Sequence, residues 1–342
     1  MMDFYHRLRP LIYRLTPEQA HRLTISLLHL GGMLAPWMIR ALFPVHRCGP
    51  EVKAFGLTFP NPLGMAAGYD KDATAWRGLA ALGFGHIELG TVTPRPQPGN
   101  PEPRIFRLVE DQAVINRMGF PNRGADFLAR QLKGKRPRGL ILGMNIGKNK
   151  NTPLEEAAGD YLSLQESFSP LVDYLTVNVS SPNTPDLRKL QTRQALEEIL
   201  LPLARHRDHA AKNGRQVPVL VKLAPDLTDA ELDEALEAIL DSNMDGVIIS
   251  NTTLQRPAGI RSLLVHETGG LSGVPLRAIT DEILKKTVKR LDGRLPVVAS
   301  GGVMSTADTR QKLDAGAILV QLYTGLIYEG PGLVSRILNE GL

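Results

Sequence analysis

Eight short apolar runs, each ending in small or polar residues and each followed by a helical stretch, fill about 280 residues of this chain. That alternation predicts an α/β fold, the (β/α)8 TIM barrel. The runs are almost continuously apolar, as are strands of a parallel sheet buried on both faces. A doubly wound open sheet is the competing architecture, and no G-x-G-x-x-G follows any run to support it. Ahead of the barrel the pattern changes to amphipathic helix. Residues 1–45 therefore read as a small N-terminal α-helical segment and 46–342 as the barrel.

In the N-terminal segment Phe4, Leu8, Leu11, Ile12 and Leu15 recur at helical spacing, with His6, Arg7, Arg9 and Arg14 on other faces. Pro10 is expected to bend or interrupt this stretch. Thr16 then reads as an N-cap, with Pro17 in the first turn and Gln19 completing a capping box. The helix it opens carries Ala20, Leu23, Leu27 and Leu30 and is expected to stop at Gly31-Gly32. A third apolar piece, M-L-A-P-W-M-I-R-A-L-F-P, closes the segment near Pro44. Two readings stand: helices that merely pack on the barrel, or a helical pair lying in a membrane interface, favoured by arginines beside Leu, Ile, Trp and Tyr. No apolar run reaches the roughly 18–20 residues that span a bilayer, and no signal-like core precedes the barrel. Any membrane contact is expected to be peripheral.

The runs begin at Asn61, His86, Leu140, Tyr174, Val217, Gly246, Pro296 and Ala317. Lys71, Thr91, Asn145, Asn178, Lys222, Asn251, Gly302 and Tyr323 fall at or just beyond their C-terminal ends, the face on which such barrels carry their chemistry. Capping a loop would explain any one of these residues; all eight together point to a site.

Composition narrows the class of ligand. A single cysteine, Cys48, excludes an internal disulfide and a thiolate metal cluster, and fits a reducing compartment. No metal is expected. A net charge of +5 and a pI near 9.3 permit an acidic ligand or an anionic membrane surface. The basic residues form no long cluster with interleaved aromatics, so nucleic acid is not expected, and nothing calls for a protein partner.

Strand seven ends in Ser300-Gly301-Gly302 and strand eight in Tyr323-Thr324-Gly325, the loops that bind phosphate in this barrel; tight turns are the alternative. Lys222 is an ammonium at the end of an apolar strand, costly to bury unpaired. A flavin ring, whose reduced form carries negative charge, would answer it, and so would a Schiff-base role. Lys71 brings a second cation to the same mouth, suited to a substrate carboxylate, unless Asp70 and Asp72 neutralise it as a surface pair. Asn116, Asn178, Asn183 and the Asn251-Thr252 pair supply donors and acceptors from four loops, which suits a flat ligand edged with amides such as a reduced pyrimidine. In N-V-S-S-P-N-T-P (178–185), alternation puts Asn178 and Ser180 on one face and leaves Ser181 to the loop, without choosing between the serines. His86 starts a strand, and His206 and His209 lie on a charged helical stretch read as solvated. No hydrolase triad is supported.

These motifs carry a resemblance. N-P-L-G-M-A-A-G-Y-D-K-D, G-T-V-T-P-R-P-Q-P-G-N-P-E-P-R-I-F-R, I-N-R-M-G-F, N-I-G-K-N-K, N-V-S-S-P-N-T-P-D-L-R, V-K-L-A-P-D-L, S-N-T-T, G-G-L-S-G and Q-L-Y-T-G-L-I-Y-E-G-P together resemble the quinone-dependent, membrane-associated class of dihydroorotate dehydrogenase. The match runs over essentially the whole chain, including T-P-E-Q-A-H near the N-terminus. It implies an FMN enzyme of pyrimidine synthesis, peripheral on the cytoplasmic face of the cell (inner) membrane, oxidising dihydroorotate to orotate. It further implies Ser181 as the base removing the C5 proton while the C6 hydrogen passes as hydride to the flavin, and a membrane quinone that reoxidises the flavin. Substrate would be held by Lys71, Asn116, Arg117, Met118, Gly119, Phe120, Asn178, Asn183, Asn251 and Thr252. FMN would meet Ala67, Gly68, Lys71, Thr91, Asn145, Asn178, Lys222, Ser250, Gly273, Gly302, Tyr323 and Thr324. Quinone would enter near His21, Arg107 and Tyr323. Two positions depart from the family pattern: Asp186 stands where glycine is usual, and Thr324 replaces a common serine.

Overall fold

The computed structural model describes residues 2–212, 214 and 216–342, with side chains from residue 5 onward. In chain order its helices and strands begin with α1 (Met2–Ile12), α2 (Pro17–Leu34) and α3 (Pro36–Leu42), followed by β1 (Val52–Ala54) and β2 (Leu57–Phe59). The barrel then opens with β3 (Leu63–Met65), α4 (Trp76–Ala81) and β4 (His86–Val92), is interrupted by β5 (Ile105–Leu108), β6 (Ala113–Asn116) and α5 (Ala125–Gln131), and resumes with β7 (Ile141–Ile146), α6 (Ala157–Phe168) and β8 (Tyr174–Asn178). It continues through α7 (Arg193–Lys212), β9 (Val219–Leu223), α8 (Asp229–Asp241), β10 (Gly246–Ile249) and β11 (Gly270–Gly273). The last elements are α9 (Arg277–Leu291), β12 (Val297–Ser300), α10 (Thr306–Asp314), β13 (Leu319–Leu322), α11 (Thr324–Glu329) and α12 (Leu333–Glu340).

Strands β3, β4, β7, β8, β9, β10, β12 and β13 close into one parallel barrel, β13 pairing back onto β3. These are the eight runs read from the sequence, and closure rules out the open sheet. The interior is divided along its axis. Toward the N-terminal ends, Tyr174, Leu220, Ile248, Val298 and Leu319 pack on Ala54 and Phe59 of the β1–β2 hairpin, which plugs the base. Gly143 makes room there: a Cβ on it would lie 2.1 Å from Cζ of Tyr174. Toward the C-terminal ends the interior turns polar, with Glu88, Asn145, Thr176, Asn178, Lys222 and Gln321 all buried. The antiparallel sheet β11–β6–β5, inserted into two of the crossovers, walls the mouth.

The capping box at Thr16 is present, Gln19 N–H donating to Thr16 Oγ1 at 3.2 Å and Thr16 N–H to Gln19 Oε1 at 3.0 Å. Two expectations for this segment are corrected. Pro10 does not interrupt α1, which runs on to Ile12, because a helix this close to its end loses little beyond one backbone hydrogen bond. Nor does Gly31-Gly32 end α2, which continues to Leu34. Gly32 serves close approach: a Cβ there would sit 2.3 Å from the backbone nitrogen of Gly78 in α4, and one on Gly78 would sit 2.1 Å from the carbonyl oxygen of Leu28. Buried Glu18 adds a polar tie, accepting the N–H groups of Arg104 at 2.9 Å and Ile105 at 3.1 Å. The side chain of Phe4, counted on the apolar face, lies outside the described residues.

Helix propensity alone would make Gly32→Ala stabilising by about 1 kcal/mol. Backbone contact at that position predicts the opposite, a loss of about 1–3 kcal/mol. Gly31→Ala, whose Cβ meets only the flexible end of Ile39 at 3.1 Å, should be near neutral. Thermal unfolding of the two variants side by side decides it; equal stability would mean that α2 and α4 do not meet through these glycines.

Candidate active site

Strand ends and the loops beyond them bound a cleft of about 950 Å³, open mouth included, at the C-terminal face of the barrel. Ala67, Gly68 and Lys71 follow β3, Thr91 is the penultimate residue of β4, Asn178 ends β8, and Ser181 and Asn183 sit in the loop beyond. Lys222 comes from β9; Ser250, Asn251 and Thr252 follow β10; Gly302 follows β12; Tyr323 and Thr324 follow β13. The side sheet supplies Asn116 and Gly273, and the turn after β6 supplies Met118, Gly119 and Phe120.

The two serines are placed differently. Ser180 is fully buried, its Oγ donating to Asn178 Oδ1 at 3.2 Å and accepting Asn251 Nδ2 at 3.0 Å. Ser181 lines the cleft, its Oγ accepting the Asn183 N–H at 3.3 Å in a local turn. The asparagines are knit together: Asn183 Nδ2 donates to Asn116 Oδ1 at 2.9 Å, and Asn251 Nδ2 reaches Asn178 Oδ1 at 3.4 Å. Asp186, on the same loop, has a φ of +57°, a conformation that favours glycine.

Four residues named from the sequence stand outside the cleft lining. Asn145 lies one layer below, accepting from Thr91 Oγ1 and, at 2.9 Å, from Asn178 Nδ2, so it acts on the cleft by orienting those two side chains. Arg117 turns away to Glu267 at 2.6 Å and lies over the Phe106 ring. His21 meets Tyr69 edge-on at 5.4 Å between centroids, and Tyr69 meets Tyr323 at 5.7 Å, so a column of rings runs from α2 to the cleft. Arg107 donates to the carbonyls of Tyr13 and Leu15 and covers the Tyr13 ring at 4.4 Å. His206, read as solvated, is half-buried on α7. Gln321, Ser272 and Ser300 also line the cleft, and Glu88 lies beneath it. Their signal was available: a carboxylate in H-I-E-L-G and an amide in L-V-Q-L interrupt apolar strands on the inward phase.

Burial pushes the Lys71 ammonium down to about 8, Arg104 adding to the effect and Asp72 and Asp70 opposing it. Lys71 donates to the Gly68 carbonyl. Burial also raises Asp70 to about 6 against the N–H groups of Thr74 and Ala75 that it accepts, at 2.9 and 2.8 Å. Lys222 is lowered by burial and raised by the charge of Glu88. His21 is held down at about 3 by burial, with Lys71 and Arg22 adding, and so stays neutral.

The donor set fits a ligand with a phosphate at one end and a polar ring at the other. Gly302 and Gly273 have φ of +73° and +97°, and a Cβ on Gly302 would lie 2.5 Å from Cα of Arg277. Arg277 braces this loop, its Nε donating to Gly302 O at 3.0 Å and its other nitrogen to Asp308 at 3.0 Å, while Asp308 accepts the Met304 N–H at 2.9 Å. At the ring end the buried Oε1 of Gln321 has no protein partner. A carboxylate ligand held by Lys71 should bind more weakly as pH rises through about 8, approaching tenfold per pH unit, because only the protonated lysine attracts it. Binding titrations on either side of pH 8 read this directly, and a flat profile would remove Lys71 as the anion partner.

The family model described as dihydroorotate dehydrogenase matches residues 50–341. The chain is 47% identical over 332 residues to "Dihydroorotate dehydrogenase (quinone)" of Azotobacter vinelandii, covering 96% of this chain and 94% of that one. It is 46% identical over 333 residues to the protein of the same name from Marinomonas sp., covering 97% and 95%. Among solved structures, DHODH of Eimeria tenella in complex with ferulenol superposes with a TM-score of 0.86 at 37% identity, covering 96% of this chain and 93% of that chain.

Proposed function

Because the chain belongs to the dihydroorotate dehydrogenase family, whose quinone-dependent members oxidise dihydroorotate in pyrimidine synthesis, we propose that its cleft holds FMN as the flavin and uses Ser181 as the base. The observation that carries this is one cleft shared by Ser181, two lysines, four asparagines, the glycine loop after β12, and Tyr323 and Thr324 after β13. The protein is a flavin-dependent oxidoreductase acting on dihydroorotate with a quinone as acceptor. FMN as the particular flavin is supported by the braced Gly302 loop, which suits a monophosphate, and by Lys222 and the unpartnered Gln321 oxygen at the ring end.

In this reading Lys71 orients the substrate carboxylate, while Asn116, Asn178, Asn183, Asn251 and Thr252 bracket the flat ring through its amide edges. Met118, Gly119 and Phe120 close over it and keep water from the reacting carbon. The Ser181 oxygen takes the C5 proton as its own hydroxyl proton passes out to solvent through the open mouth of the cleft; its neighbour Asn183 holds the serine oxygen through the N–H bond at 3.3 Å. Bound FMN supplies the acceptor for the C6 hydride. Arg117, committed to Glu267, contributes through its backbone segment.

The N-terminal residues support peripheral docking. Leu27, Leu34 and Trp37 are 61%, 72% and 69% exposed on α2 and α3, beside Arg22 and Arg40. Among the described residues no single helix is long and apolar enough to cross a membrane, and α2 and α3 meet at a bend of 114°. Residues 1–45 would lie in the interface of the inner membrane on its cytoplasmic side, and quinone would pass along the His21–Tyr69–Tyr323 column, with Arg107 steadying its α1 side.

Ser181→Ala should slow anaerobic bleaching of the yellow protein by dihydroorotate by about 10²–10⁴-fold. Stopped-flow absorbance reads the rate; bleaching as fast as the parent would eliminate Ser181 as the base. Leu27→Glu combined with Trp37→Glu should weaken co-sedimentation with phospholipid vesicles by more than about tenfold, since each buried side chain is worth roughly 1.5–3 kcal/mol. Dihydroorotate-driven bleaching should stay intact. Undiminished vesicle binding would refute interfacial docking.

A further inference from the structure

Beneath the cleft, Glu88 projects from β4 into the barrel and is wholly buried. Its two oxygens are met from three other sides of the barrel. Oε1 accepts Asn145 Nδ2 of β7 at 2.8 Å; Oε2 accepts Gln321 Nε2 of β13 at 2.9 Å, Thr176 Oγ1 of β8 at 3.1 Å and Tyr174 OH of β8 at 3.3 Å. All four partners donate, so the carboxylate dictates which way both amides point. Asn145 is thereby left with its oxygen toward Thr91 and Asn178, and Gln321 with its oxygen unpartnered at the cleft.

Hydrogen bonds satisfy the oxygens without supplying a counter-charge. His86, the next inward residue on β4, has neither ring nitrogen hydrogen-bonded and is held down at about 3 by burial, so it remains neutral. The cation of this interior is Lys222 on β9, whose strand pairs with β8 so that Asn178 stands opposite it. Among the described residues Lys222 makes no carboxylate ion pair within 4.0 Å, yet its ammonium feels the Glu88 charge and lines the cleft floor. Two buried charges of opposite sign, separated by a shell of oriented amides and hydroxyls, each lower the cost of burying the other.

We propose that Glu88 is a positioning residue for the flavin reaction: it supplies the negative charge that balances Lys222 and aims the Asn145 and Gln321 amides at the cofactor floor. This rests on the flavin reading for its effect on the reaction, whereas the charge balance belongs to the protein alone. Burial disfavours the Lys222 ammonium and the Glu88 charge beneath opposes that effect; in its charged form Lys222 stabilises the reduced ring.

The test is a double-mutant cycle with a redox readout. Glu88→Gln keeps shape and removes the charge. It should lower the midpoint potential of the bound flavin in the same direction as Lys222→Met, by at least a tenfold change in the equilibrium constant, about 30 mV for a two-electron couple. A rise in potential, or none, would overturn the proposal, because removing a nearby negative charge while Lys222 stays charged favours the reduced ring. Denaturant unfolding of flavin-free protein supplies a second arm. Glu88→Gln with Lys222→Met should be more stable than the two single losses sum to, and should fold even where Glu88→Gln alone does not. Strict additivity, or a double variant that fails where Lys222→Met folds, would reduce Glu88 to a packing hub. A colourless parent protein would instead defeat the flavin reading and leave the stability cycle to judge the charge balance separately.

Discussion

Filling the inside of a closed eight-stranded barrel is the constraint on which the remainder of this molecule depends. A barrel of this size has just enough interior for side chains, so each inward position must be occupied and each inward polar atom satisfied. The chain meets the requirement in two halves. Below, aromatic and aliphatic side chains close on a hairpin plug, and the Tyr174 hydroxyl among them reaches Glu88. Above, a carboxylate accepts from four donors, and the amide beside it passes the pattern to Thr91 and Asn178. In the polar half the carboxylate and its four donors satisfy one another, and what remains unmet includes the oxygen of cleft-lining Gln321 and both ring nitrogens of His86.

The N-terminal helices are held to the barrel by means that leave their other face free. Gly32 and Gly78 let α2 and α4 approach backbone to backbone, and Glu18 ties the start of α2 to the side sheet. Tyr5 of α1 and Tyr13 just after it donate to the Ile327 carbonyl at 2.6 and 3.1 Å, anchoring that helix to α11 just beyond the cleft wall. Leucines and Trp37 on the outer face find no protein to cover them. Rings of His21, Tyr69 and Tyr323 meet in T-shaped contacts between that face and the cleft, joining the helical segment to the barrel mouth.

Much of this was legible in the chain. Apolar runs located all eight barrel strands because a strand buried on both faces leaves no alternation to confuse. The Thr16 cap was legible because its hydrogen bonds join residues three apart. Most of the cleft-lining positions could be named because barrel chemistry gathers at strand ends, which are local features. Gly31-Gly32 misled because propensity weighs a residue by its own backbone, and the partner that justifies Gly32 is 46 positions away in α4; Pro10 misled because it stands in the last turn of α1, where little helix remains to interrupt. The choice between Ser180 and Ser181 was closed to alternation, since the strand ends at Asn178 and the backbone beyond it follows no fixed period.

Local chemistry, then, settles the barrel, its polar rim and the amphipathic start, because periodicity, capping and turn preferences act over a few residues. Three things awaited the folded chain: that Asn145 stands behind the cleft rather than in its wall, that Arg117 and Arg107 spend their guanidinium groups elsewhere, and that Glu88 and Lys222 share one interior. Each is a relation between side chains far apart in sequence, and only closure of the barrel makes them neighbours.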